Sequence, residues 1–518
     1  MNNNGRLLWV DDEVDFLKGY IVFLEQKGYS VQTATNGHDA LDLCREQAFD
    51  LIFLDENMPG LSGLETLSAI KDIVPTVPVV MVTKNEAEDL MDQAIGSKIA
   101  DYLLKPVNPK QILLTLKKNI HRQSIEQTAL ETGYRQEFAR IGLQIAETQT
   151  LEEWTELYRR LVRWELELDE ADDTLRDMLA MQKEEANMAF AKFVRTNYEG
   201  WVNAPFGERP VLSPDIFSYA VFPRLRAGRK VFLLVLDNLR FDQWRVLREE
   251  LAELFDIEEQ LYLSILPTAT QYARNAIFAG LMPAKIREMY PDLWVDEEED
   301  EGKNLNEEQL IGHNLERHRV REAFSYAKVN DSAAAERLLG QFSSLTQTPL
   351  SVLVVNFIDI LSHARTESKM VRELASGEAA FRSLTLSWFR HTAIRDLFRA
   401  LANTDRDIII TTDHGSIRAT SPIKVVGDKN VNTNLRYKLG KNLSYNRKEV
   451  FEMKQPERFG LPSPNLSTTY IFAQGNKFFA YPNNYNHYVS YYRDTFQHGG
   501  ISMEEMLVPL VSLRAKKR

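Results

Sequence analysis

A chain of 518 residues, 44% apolar and 26% charged, is long enough for two or three domains that each bury a core. Its single cysteine, Cys44, excludes an internal disulfide and suits a reducing compartment. The formal charge of −12 argues against a protein that coats nucleic acid nonspecifically. No apolar run approaches the roughly 20 residues that span a bilayer. The opening stretch, MNNNGRLLWVDDE, lacks the charged-then-apolar pattern of a secretory signal, so no membrane insertion and a cytoplasmic location are expected.

Residues 6–120 alternate short apolar runs with amphipathic helical stretches. The runs Leu7–Val10, Ser30–Ala34, Leu51–Leu54, Val79–Val82 and Tyr102–Leu104 predict five strands of a doubly wound parallel sheet. Acids follow the first strand (Asp11, Asp12) and the third (Asp55); Thr83 ends the fourth, and Lys105-Pro106 follows the fifth. Carboxylates at one sheet edge suit Mg²⁺, and a nearby hydroxyl and ammonium suit a phosphoryl group on one acid. The segment 1–122 resembles a two-component response-regulator receiver, and Met58-Pro59-Gly60 matches that family's loop. The resemblance implies Asp55 as phosphoacceptor and Asp11, Asp12, Asp55 and the Asn57 carbonyl as Mg²⁺ ligands. It also implies Thr83, Tyr102 and Lys105 as switch residues and a sensor histidine kinase as partner.

No proline occurs between Pro109 and Pro205, and strong helix formers dominate. Apolar residues at helical spacing (Phe138, Ile141, Ile145, then Trp154, Leu157, Leu161, Trp164) predict a three-helix bundle over 123–204, broken near Gln149 and Asp169. It would connect receiver to effector, as signal carrier or dimer contact.

From Pro205 onward strands and helices alternate again. Three apolar runs, Val231–Leu236, Ser351–Phe357 and Ile408–Thr412, read as buried parallel strands. They lead into Asp237, into Asp359-Ile-Leu-Ser-His363 and into Asp413-His414, and His498 precedes a last apolar segment, Met506–Leu513. Open α/β sheets build their sites at the carboxyl ends of such strands. The six side chains divide into two mixed sets, Asp359, His363 and His498 against Asp237, Asp413 and His414, a chemistry that suits catalytic zinc. A nucleophile is offered by Thr270 or Thr268, after the strand-like Leu261–Leu266. A helix starting near Thr270 would aim its amino-terminal dipole at an anion, and the same hydroxyl would also serve as an N-cap.

The order Asp237, Thr270, Asp359-x-x-x-His363, Asp413-His414-Gly, His498-Gly resembles the alkaline phosphatase superfamily, its PglZ branch above all, over 205–518. The resemblance implies a large α/β domain with one Zn²⁺ on Asp359, His363 and His498 and a second on Asp237, Asp413 and His414. It implies a covalent phosphothreonine at Thr270 as well. A threonine nucleophile separates the chain from sulfatases. The Pro-x-x-Thr lead-in is similar to that of the superfamily's nucleotide phosphodiesterases, which favours diesters, with Arg274 or Asn275 touching a phosphoryl oxygen. The stretch Gly415–Val450 holds eight basic residues (Arg418, Lys424, Lys429, Arg436, Lys438, Lys441, Arg447, Lys448) and two acids, with Tyr437 and Tyr445 interleaved. As a loop it would guide a polyanion or simply be solvated. The run Asp296–Glu301 reads as an exposed acidic loop.

Receiver, helical bundle and PglZ-like domain in this order resemble the PorX-type regulators of type IX secretion. The expectation is a response regulator whose effector is a zinc-dependent phosphodiesterase acting on nucleotides or oligonucleotides, and which dimerises on phosphorylation. The resemblance also implies a sigma factor and a secretion component as partners. That leaves open a non-catalytic reading in which the zinc domain is a binding scaffold.

Overall fold

The computed structural model describes residues 4–84, 99–169, 173–296, 303–367, 371, 377–427, 432–465 and 467–516. The chain divides into two compact units, Met1–Gln136 and Glu137–Arg518.

In the first unit, Gly5–Val10 (β1), Tyr29–Ala34 (β2), Leu51–Asp55 (β3), Val79–Thr83 (β4) and Asp101–Leu104 (β5) form one parallel sheet in the order β2-β1-β3-β4-β5. β3 and β4 are buried at every position, as strands covered on both faces must be. Alternate residues feed two cores: Trp9, Phe53, Val80 and Val82 on one face, Leu8, Val10, Ile52 and Leu54 on the other. Among the described residues, the helices Lys18–Gln26 (α1), Gly37–Glu46 (α2), Gly63–Ile73 (α3) and Pro109–Asn119 (α4) accompany the sheet. The strand order reverses between β1 and β3, so Asp11 and Asp55 flank the switch point where such folds bind ligands. Gly63 lets α3 close on the Asp55 loop, because a Cβ there would stand 2.4 Å from the Asp55 carbonyl oxygen.

The helix His121–Glu147 (α5) carries the chain into the second unit, where Leu151–Glu167 (α6) and Asp173–Asn203 (α7) follow. Thr150 and Glu153 close a capping box on α6, which accounts for the break after Gln149. Trp154 packs edge-on against Phe190, at 5.4 Å between ring centroids, and Leu157, Leu161 and Trp164 are buried. The helices dock on neighbouring effector helices through buried charges. Lys183 Nζ lies 2.7 Å from Glu165 and 3.2 Å from Glu504. Arg382 reaches Glu165 and Asp242, each at 2.9 Å. Asn187 donates to Glu504 and accepts from the Met503 N–H.

The effector is built on a six-stranded sheet. Its strands are Lys230–Leu236 (β6), Phe255–Leu263 (β7), Phe324–Val329 (β8), Leu350–Val355 (β9), Arg406–Thr411 (β10) and, after several short strands outside this sheet, Leu507–Ala515 (β13). The order is β7-β13-β10-β6-β9-β8, and β13 alone runs against its neighbours. β6, β9 and β10 therefore deliver their following residues to one edge. β7 delivers the Thr268–Thr270 segment to the same edge, and β13 begins there. The short strands Ile417–Ala419 (β11) and Thr495–Gln497 (β12) pair antiparallel with Ile417 opposite Gln497, which brings His498 beside His414.

Two expectations change. The apolar run at Ser351 stops being strand at Val355, and Phe357–Glu367 (α8) is a helix carrying Asp359 and His363 one turn apart. Much of the described part of the basic stretch 415–450 is not loop but short strands, including Ser421–Val426, Tyr437–Gly440 and the start of Val450–Met453, in small sheets. Among the described residues no helix is long and apolar enough to cross a membrane.

Candidate metal centre and nucleophile

In the receiver, Asp11, Asp12 and Asp55 each offer an oxygen, and these atoms lie within 4.8 Å of one another. Lys105 Nζ sits 2.8 Å from Asp11 Oδ2 and 2.9 Å from Asp55 Oδ1. Burial pushes the Asp55 carboxyl above its ordinary value, and Lys105 opposes the shift. Burial would depress the Lys105 ammonium, but hydrogen bonds to Asp11 and Asp55 outweigh it and hold it above its usual range. Thr83 donates to the Glu56 carboxylate, while Tyr102 is 43% exposed and Asn57 lies exposed in the following loop. An all-oxygen set with one exposed member fits Mg²⁺, which keeps several waters.

The effector edge gathers all six predicted ligands into two clusters, each with its ligand atoms within 4.8 Å of one another. In the first, His363 Nε2 is 3.4 Å and His498 Nε2 3.6 Å from the two Asp359 oxygens. In the second, His414 Nε2 is 3.7 Å from Asp237 and 3.8 Å from Asp413. The His414 and His498 rings stack at 4.2 Å and join the clusters. Both rings are oriented from behind: Nδ1 of His414 donates to the Gly415 carbonyl and Nδ1 of His498 to the Thr268 carbonyl, each at 3.1 Å. A carbonyl can only accept, so each Nε2 is left unprotonated and turned towards the carboxylates.

The electrostatics call for a cation. Burial, then the neighbouring Asp413 charge, push Asp237 well above the carboxylate range, and burial also raises Asp413. Burial, then the His414 charge, push His498 down to about 3. The deeply buried Oδ2 of Asp413 has no hydrogen-bond partner. Carboxylates that cannot all ionise, imidazoles that stay neutral and an orphaned buried oxygen together fit a divalent metal. A further acidic cluster, Glu165, Asp242 and Glu378, differs, because Lys183, Arg240 and Arg382 already stand against it.

Thr270 opens the helix Thr270–Ala279 (α9). Its hydroxyl lies 3.1 Å from His414 Nε2 and 3.5 Å from Asp237 Oδ1. The N-cap is Ala269 and makes no side-chain bond, so the Thr270 hydroxyl is not spent on capping. Thr268 is fully buried; its hydroxyl donates to the Gly500 carbonyl and accepts from the Gly499 N–H.

Arg274 and Asn275 do not face a substrate. Arg274 is 2% exposed, with Nε 2.6 Å from Glu307 and Nη1 2.7 Å from Asp237 and 3.1 Å from Asn356. It is an internal counter-ion that fixes Asp237 from behind. Asn275 is equally buried and donates to the Lys303 carbonyl. Sequence reasoning missed Glu307, which holds Arg274, and Asn238, which touches both clusters; the one available signal was that Asn238 directly follows a ligand.

The basic stretch is likewise dispersed. Arg436 is buried on Glu505 at 2.6 Å, Lys438 is buried over the Tyr481 ring, and Tyr437 packs edge-on to Tyr272. Arg418 pairs with Asp494 and Tyr445 donates to Glu452. Lys424, Lys441, Arg447 and Lys448 are exposed, and Lys429 lies outside the described residues. In the acidic run, Asp296 pairs with Arg287, and residues 297–301 lie outside the described residues.

Known families cover most of the chain. Residues 7–117 match the response regulator receiver domain, 124–202 the PorX response regulator linker domain, and 216–513 the BREX system PglZ alkaline phosphatase-like domain. The chain is 40% identical over 119 residues to the alginate biosynthesis transcriptional regulatory protein AlgB of Pseudomonas putida, covering 23% of this chain and 27% of that one. It is 35% identical over 137 residues to the transcriptional regulatory protein ZraR of Klebsiella oxytoca, covering 26% and 31%. The chain thus spans about a quarter to a third of the length of these relatives. A CheY-like receiver domain protein of Methanospirillum hungatei, 28% identical, covers 23% of this chain and 97% of its own at a TM-score of 0.23. With the family model spanning more than half its length, the chain belongs to the PglZ family of alkaline phosphatase-like domains, carried in a response regulator of the PorX type.

Proposed function

We propose that the effector is a zinc-dependent phosphodiesterase acting on nucleotides or oligonucleotides. In this reading Thr270 is the nucleophile, and phosphorylation of Asp55 by a sensor histidine kinase controls the protein. The observation that carries the reading is the Thr270 hydroxyl, placed at a helix amino terminus within 3.1 Å of His414 and 3.5 Å of Asp237. Asp359, His363 and His498 would hold one zinc, and Asp237, Asp413 and His414 the other. When bound, the pair supplies Lewis-acid polarisation of the phosphoryl group and lowers the pKa of coordinated hydroxyls.

The chain's own residues supply the rest. Thr270 Oγ attacks phosphorus, the bond to the diester's alcohol breaks, and the alcohol leaves with the proton that the threonine gives up. The first α9 N–H groups face the developing negative charge. Water then cleaves the phosphothreonine and restores the hydroxyl. Arg274 is committed to Asp237 and Glu307 and so does not act as the arginine clamp of a monoesterase, which favours diesters. The PorX-type order of domains supports a role in regulating type IX secretion and dimerisation on phosphorylation.

The test is hydrolysis of a chromogenic phosphodiester and its monoester counterpart by metal-analysed protein. Diester turnover with about two zinc per chain, lost in Thr270→Ala, is expected. Full zinc with neither activity would sink the enzyme and favour the scaffold for a sigma factor or secretion component.

A further inference from the structure

We infer that Asn238 is a positioning residue that ties the two ligand clusters together, so that the metal affinity of the Asp359 cluster depends on it. The inference rests on the two-zinc reading above.

Asn238 directly follows the ligand Asp237 and is fully buried. Its backbone is left-handed, with φ 63°, a conformation that costs most side chains energy and that asparagine tolerates. The turn puts its two donors on different clusters. The backbone N–H lies 3.4 Å from Asp413 Oδ1, and Nδ2 lies 3.3 Å from Asp359 Oδ1. One residue therefore contacts a carboxylate of each cluster, while its own chain neighbour, Asp237, is a ligand of the second. The next residue is anchored too, by Leu239 N–H donating to Thr412 Oγ1 at 3.0 Å, so the turn is held against the end of β10. The remaining polar atom, Oδ1, is buried without a partner. Burying an unmatched amide oxygen costs stability, a cost that the contact of Nδ2 with Asp359 helps to offset. Strained backbone and incomplete hydrogen bonding concentrate where geometry serves a site.

The chemistry is that of outer groups around a metal. Asp359 offers one oxygen near His363 and the other near His498. A hydrogen bond from Nδ2 limits rotation of the Asp359 carboxylate and orients that set. Loss of such a partner typically weakens metal binding 10–100-fold. The Asp413 cluster is held by the backbone N–H and does not need the side chain.

The test is calorimetric titration of zinc into the metal-free full-length protein, comparing wild type with Asn238→Gly. Glycine keeps the left-handed turn and the N–H and removes only the amide. His363→Ala identifies which binding step belongs to the Asp359 cluster. The expected result is that Asn238→Gly weakens that same step at least tenfold and leaves the other within about threefold, with an unchanged urea midpoint for the metal-free protein. Wild-type affinity for both zinc ions in Asn238→Gly overturns the inference and leaves the two-zinc reading standing. A lowered metal-free midpoint with both affinities intact also overturns it, by reducing Asn238 to a fold-supporting residue. A wild type that binds no zinc removes the two-zinc reading and the inference with it.

Discussion

Each unit gathers carboxylates at the carboxyl edge of a parallel sheet, but the two edges are neutralised differently. In the receiver an ammonium reaches the cluster from within: Lys105 contacts both Asp11 and Asp55, and Asp12 remains exposed. In the effector, among the described residues, the cation against the cluster is Arg274, which lies behind Asp237, and burial favours the neutral form of His414 and His498. The first arrangement tolerates the arrival and departure of charge, as a phosphoryl switch requires. The second is poorly balanced unless cations reside there. Similar residue types at similar strand ends are thus set up differently according to where the counter-charge sits.

The comparison breaks most sharply at Thr270 and Asp55. Thr270→Ala is expected to lower diester turnover by about 10³-fold or more while zinc content, measured by atomic emission, stays near wild type. Asp55→Asn is expected to abolish labelling by a phosphoryl donor such as acetyl phosphate without changing zinc content. Zinc lost from Asp55→Asn would show that the two centres are not separately built.

Arg274→Met is next. It takes the buried counter-ion from Asp237, while Glu307 keeps Lys328 and Tyr326, and breaking a buried ion pair costs about 3–5 kcal/mol. The urea midpoint should fall and the Asp237 cluster should bind zinc at least tenfold more weakly. An unchanged affinity would mean that the arginine does not orient Asp237.

A smaller effect concerns acid. Burial opposes ionisation of Glu165, but Lys183 and Arg382 outweigh it and hold the carboxyl below its ordinary value. A depressed folded pKa contributes stability above the unfolded value, about 4.3, and that stability is lost as pH falls through the folded pKa. The urea midpoint of the Glu137–Arg518 unit should therefore fall below about pH 4, and the deficit of Glu165→Gln relative to wild type should shrink there. A deficit that grows with acid would contradict the assignment. The smallest change is expected from neutralising the exposed Lys441 and Lys448: diester turnover should stay within about twofold, since exposed charges are screened.

Much of this was legible in the sequence. The receiver strands were, because buried parallel strands are continuous apolar runs, and Asp55 and Thr83 extend their runs by one residue. The clustering of the six candidate ligands was, because each follows or approaches a strand end. Long-range charge matching was not. Arg274 lies four residues after Thr270 and reads as a phosphate contact, yet its direction is set by Glu307 and Asp237, distant in sequence. Arg436 and Lys438 read as a basic surface until Glu505 and the Tyr481 ring are brought against them. The insertion of β13 between β7 and β10 also leaves no local trace, since it depends on pairings about 100 and 250 residues away in the chain.

The buried charges that dock α6 and α7 decide where this chain can be recut. An effector begun at Pro205 would leave Arg382 without Glu165 and Glu504 without Lys183 and Asn187, two buried charges stripped of partners that the helices supply. The seam that respects those contacts runs through α5, where one compact unit gives way to the other. Fusing another sensory module there, in helical phase, would exchange the input and keep the machine.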